Sequence, residues 1–101
     1  MRLSPEQTAT IVSTTRELAG ADAEVRLFGS RLLDEVQGGD IDLLVECPQK
    51  IDRPVWLAAQ ITARLQRRLG DRRIDVLLID PETVLAPVHL VARAEGRLLQ
   101  G

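Results

Sequence analysis

The chain has 101 residues, 45% hydrophobic and 28% charged, with a formal net charge of −2. This suits one globular domain spanning 1–101, with a single modest core and no second lobe. The slightly acidic balance argues against general attraction to nucleic acid, and no direct nucleic-acid binding is expected.

Ser4-Pro5-Glu6-Gln7 reads as a helix start, with Ser as N-cap, Pro at the first helical position and Gln closing the capping box. Thr8, Ile11, Val12, Thr15, Leu18 and Ala19 then share one face, and Gly20 ends the helix. Glu24 to Phe28 is the first predicted strand, stopped by Gly29-Ser30. Arg31 to Val36 suits a short helix or turn, and Gln37-Gly38-Gly39 lets the chain return sharply. Asp40 to Val45 is the second strand. Its Ile41, Leu43 and Val45 share one face, and Asp40, Asp42 and Leu44 share the other. A helix is expected from about Arg53 to Leu69, with Val55, Ala58, Ile61, Thr62, Leu65 and Leu69 on its inner side and Gly70 as its stop. Arg73 to Ile79 is the third strand, with Ile74, Val76 and Leu78 facing the core and Asp75, Leu77 and Ile79 opposite. A helical turn at Asp80-Pro81, a restart at Pro87 and a stop at Gly96 lead to an apolar tail at Leu98-Leu99.

Helix, strand, strand, helix, strand, helix is an α/β or α+β order. The short return makes strands one and two antiparallel neighbours, whereas the helical crossover makes two and three parallel, giving a three-stranded mixed sheet in the order 1-2-3. That topology brings the end of strand one beside the starts of strands two and three. Ser30, Asp40, Asp42 and Asp75 are therefore expected to converge at one edge.

Taken singly, these features are ordinary. Gly-Ser ends many strands, strand edges often carry solvated acids, and Asp75 has Arg72 and Arg73 nearby to pair with. Together they place three carboxylates on the face opposite the aliphatic one, where a shared counter-charge is needed. Mg²⁺ suits such a set, completed by substrate phosphates. Gly29 lets a ligand approach the backbone, and the Ser30 hydroxyl can cradle a terminal phosphate. Triphosphate plus two metals between carboxylates is a recipe for in-line nucleotidyl transfer.

Leu27-Phe28-Gly29-Ser30-Arg31, Asp40-Ile41-Asp42-Leu43-Leu44-Val45 and Ile74-Asp75-Val76-Leu77-Leu78 resemble the minimal nucleotidyltransferases of the DNA polymerase β superfamily. The resemblance is to the antitoxins of HEPN/MNT toxin–antitoxin pairs, and it extends from the first helix to the Glu95–Leu99 tail. Two positions depart from the commonest pattern: Leu32-Leu33-Asp34 follows Arg31, and Gly39 precedes Asp40 where a Ser is usual. The resemblance implies the α+β polymerase-β-like fold. It implies that Asp40 and Asp42 bridge two Mg²⁺ ions and that Asp75 completes one of them. Gly29 and Ser30 would hold the β- and γ-phosphates of ATP, with Arg31 a further nucleotide-binding candidate. The implied reaction is protein adenylylation, with AMP joined to a tyrosine hydroxyl of a HEPN-domain toxin.

Two other functions stay open at this stage: a steric antitoxin or binding module with weak catalysis, and a small-molecule nucleotidyltransferase. A homo-oligomer is compatible with the sequence, since Leu44, Leu77 and Ile79 on the carboxylate face need a cover from the last helix or another subunit. We expect no signal peptide, no membrane span and, with Cys47 the single cysteine, a cytoplasmic setting. His89 reads as a helical residue away from the acids, and Trp56 as a core-rim anchor or a partner contact. Arg64, Arg67, Arg68, Arg72 and Arg73 read as a solvated helix face before a phosphate patch, and Glu46, Asp52, Asp71 and Asp80 as acids ending their elements.

Overall fold

A computed structural model describes residues 3–29 and 41–100. The elements are α1 (Pro5–Ala19), β1 (Glu24–Phe28), β2 (Ile41–Glu46), α2 (Pro54–Leu69), β3 (Ile74–Ile79), α3 (Pro87–Glu95) and β4 (Arg97–Leu98). The class is α+β. The expected helix or turn at 31–36 and the glycine-rich return lie outside the described residues.

Helix α1 starts as its sequence dictates. The Gln7 N–H donates to Ser4 Oγ at 3.1 Å, and the Ser4 N–H donates to Gln7 Oε1 at 2.8 Å. Each otherwise orphaned N–H gains an acceptor. Helix α2 starts at Pro54 and buries Ile61 and Leu65, with Leu57 packed alongside. Val55, expected inside, is 85% exposed. At 100° per residue it lies about 120° around the helix from Ile61, beyond the arc the sheet covers. Trp56 is 58% exposed, so it is a surface residue rather than a core-rim anchor.

The sheet has four strands in the order β3-β2-β1-β4, one more than expected. The added strand is part of the Leu98-Leu99 tail. Arg26 and Leu27 pair with Leu98 and Arg97, and the Leu99 N–H donates to the Val25 carbonyl at 2.8 Å. Two residues give too short an alternation for a sequence pattern to reveal. The other pairings are as anticipated, β1 antiparallel to β2 and β2 parallel to β3.

Strand alternation sorts the apolar residues into two layers. Val25, Leu27, Ile41, Leu43, Val45 and Ile74 pack with Ile11 and Val12 of α1 and Ile61 and Leu65 of α2. On the opposite face, Leu44, Ile79 and Ala92 of α3 form a smaller cluster with Phe28 and Leu77 against it. Helix α3 thus supplies the cover that Leu44 and Ile79 require. Full burial of each such side chain stabilises the fold by about 1.5–3 kcal/mol. Among the described residues no helix is long and apolar enough to cross a membrane.

Candidate active site

β1 and β2 lie in a register that sets Phe28 opposite Asp42. The next residue, Gly29, turns with φ +76°. A Cβ on Gly29 would stand 2.6 Å from Asp42 Oδ2 and 3.3 Å from its Cγ, so only glycine lets the backbone lie against this carboxylate. On the other side of β2, the parallel register sets Asp42 beside Asp75. Strand neighbours in register share a face and are about 4.8 Å apart. The turn glycine and two of the three expected acids are therefore at one end of the face that carries α3. Ser30, Arg31 and Asp40 lie outside the described residues.

Asp75 stands in an otherwise apolar strand, yet its side chain is 53% exposed. Arg73 Nε stands 3.3 Å from Asp75 Oδ2 and is itself 72% exposed. Two residues apart on a strand, they point to the same side. This pair is held in solvent beside Asp42, not on the far side of the sheet. Two adjacent carboxylates repel one another, and the Arg73 guanidinium offsets this at Asp75. Hard oxygen donors set side by side beside a close backbone turn suit a divalent cation such as Mg²⁺. Among the described residues no three potential ligands gather.

Other polar groups have structural duties. Glu46, read from sequence as a strand-end acid, accepts from Arg26 Nη1 at 3.0 Å and from Arg93 Nε and Nη2 at 3.2 Å each, tying β1, β2 and α3 together. No local pattern signals this, because the partners are 20 and 47 residues away. The arginine-rich helix end is tied down as well as solvated: Arg68 Nη1 donates to buried Thr14 Oγ1 at 2.6 Å, and both Arg64 and Arg68 pair with Glu17. Thr14, left off the expected inner face of α1, is buried.

Asp80 accepts from the Ile51 N–H at 2.8 Å, the Glu82 N–H at 2.9 Å and the Thr83 hydroxyl at 3.0 Å. Chiefly through the Ile51 bond, these hold its carboxyl below the usual range. Cys47 is buried, and burial followed by the nearby Asp80 charge pushes its thiol up, which leaves it a poor nucleophile. His89 Nδ1 accepts from the Ala86 N–H at 2.9 Å, capping α3.

A pocket of about 240 Å³ opens at the other end of the sheet, lined by residues including Leu18, Asp22, Cys47 and Leu57. It includes neither acid of the pair. A family model described as nucleotidyltransferase domain matches residues 8–95. No curated protein matches the chain.

Proposed function

Because the chain belongs to the nucleotidyltransferase domain family, of the polymerase-β-like superfamily, we propose that it is a Mg²⁺-dependent protein adenylyltransferase. In this reading it transfers AMP from ATP to a tyrosine hydroxyl of a HEPN-domain toxin, as an antitoxin in the cytoplasm. Nucleotidyl transfer follows from the family, whose members usually use a nucleoside triphosphate and a divalent metal. The choice of ATP, Mg²⁺ and a protein acceptor rests on the resemblance in the three motif segments. The observation that carries the site assignment is the register that sets Asp42 beside Asp75 and packs Gly29 against Asp42.

Asp42 and Asp75, with Asp40, would hold the metal through carboxylate oxygens. Bound Mg²⁺ would supply charge neutralisation at the triphosphate and favour the deprotonated acceptor hydroxyl. Gly29 leaves room for phosphate oxygens at the backbone, where the Ser30 hydroxyl and the Arg31 guanidinium would add donors. Arg73 would orient Asp75 through their ion pair. The acceptor oxygen bonds to the α-phosphorus, the α–β bridging bond breaks, and pyrophosphate leaves with the electron pair.

The test is to incubate α-labelled ATP and Mg²⁺ with a HEPN-domain toxin and either the wild type or Asp42→Ala. Label on the toxin with the wild type alone is the expected result. Label with both proteins, or with neither, would remove the catalytic assignment.

A further inference from the structure

We propose that the outer edge of β3 is a self-pairing surface, joining two copies of this chain into one continuous sheet. β3 is the terminal strand of the sheet. The Ile41 N–H donates to the Arg73 carbonyl and the Cys47 N–H to the Ile79 carbonyl, bracketing the β2–β3 ladder. In a parallel ladder with that phase, residues 73, 75, 77 and 79 turn their backbone groups toward β2. Ile74, Val76 and Leu78 turn theirs outward, and among the described residues no group hydrogen-bonds to them there.

This edge lacks most of the devices by which monomeric sheets protect themselves. Its six residues, Ile-Asp-Val-Leu-Leu-Ile, contain no proline and no lysine. Their register with β2 runs without a bulge from Ile74 to Ile79. Asp75 is the sole charge, and it lies on the solvent side of the sheet paired to Arg73. The opposite edge is blunted, because β4 is only two residues long and carries Arg97.

The edge is complementary to itself. With a two-fold axis at Val76, antiparallel pairing sets Ile74 against Leu78 of the second copy, Val76 against its own counterpart, and Leu78 against Ile74. Each is a hydrogen-bonded pair, so every outward N–H meets an outward carbonyl. The side chains that meet are aliphatic, and they extend the layer under α1 and α2. On the other side Asp75 falls opposite Leu77 and Arg73 opposite Ile79, so no like charges are directly opposed. An added extended strand can pair with every outward group of such an edge, and a second copy supplies one of matching length and register. The strand lies in the plane of the sheet, so the inference is independent of the catalytic reading.

Light scattering on the full chain should give twice the 11.2 kDa chain mass. Val76→Pro removes one outward N–H that an unpaired edge does not use; it should keep the helical circular dichroism and halve the mass. Val76→Cys in a Cys47→Ser background should form an interchain disulfide under mild oxidation, since hydrogen-bonded partners hold their Cα atoms about 5.5 Å apart. A wild type that stays monomeric at tens of micromolar overturns the proposal, including one that pairs this edge only with a different protein. So does a dimer that survives Val76→Pro without the 76–76 cross-link. If Val76→Pro does not fold, the cross-link alone decides, and its absence overturns the proposal.

Discussion

The face of the sheet that carries α3 has two ends, and they treat acids in opposite ways. At one end Glu46 lies between Arg26 and Arg93, and Asp80 accepts three hydrogen bonds that pin the β2–α2 connection to the turn after β3. Every one of those oxygens serves the fold. At the other end of the same strands, Asp42 and Asp75 stand as neighbours, with an exposed arginine on one and a turn glycine against the other. Acids bonded into the fold and acids set side by side at a turn are different arrangements, and the second is the one the proposed metal site requires.

The largest expected effect falls at the open end. Asp42→Asn should lower nucleotidyl transfer by about a hundredfold or more. Its melting midpoint should move less than that of the Glu46 variant below, as followed by circular dichroism. Equal losses of activity and stability would erase the distinction. Gly29→Ala comes next. The added methyl meets Asp42 Oδ2, and φ +76° disfavours any side chain. We expect about a tenfold fall in kcat/KM together with about 1 kcal/mol of destabilisation, read by kinetics and by urea titration of the same sample.

The closed end should behave inversely. Glu46→Gln takes the charge partner from Arg93 and leaves Arg26 its longer pairing with Glu24 at 3.6 Å, and it should cost about 1–2 kcal/mol, because the side chains are only partly shielded from solvent. That corresponds to a midpoint lower by roughly 5–15 °C in calorimetry. Transfer assayed well below that midpoint should stay near the wild-type rate. The smallest effect is the pH dependence from Asp80. Its folded carboxyl titrates below the unfolded value, so its contribution is complete above about pH 4 and is lost as the pH falls through the folded pKa. Midpoints of wild type and Asp80→Asn, scanned from pH 7 to 2, should differ at neutral pH and converge in acid. A constant gap would remove the assigned role.

Much of the fold was legible because its signals are local. The Ser4-Pro5-Gln7 cap, the 3.6-residue stripe through Ile61 and Leu65, and the alternation of Ile41, Leu43 and Val45 each occupy one continuous segment. The acid pair was legible for a related reason. Strand alternation assigns Asp42 and Asp75 to the face opposite the core, and a helical crossover makes their strands parallel. Val55 and Trp56 were misplaced because the width of the buried arc depends on the sheet beneath α2, which the helix's own sequence does not state.

The sequence by itself determined the helices, the three long strands and the side of the sheet on which the acids fall, because period and turn chemistry act over a few residues. Tertiary structure alone decided that β4 joins the edge, that Glu46 closes one end with arginines from β1 and α3, and that Gly29 lies against Asp42. Those contacts depend on the separation of chain segments in space, and that is fixed only when the two layers pack.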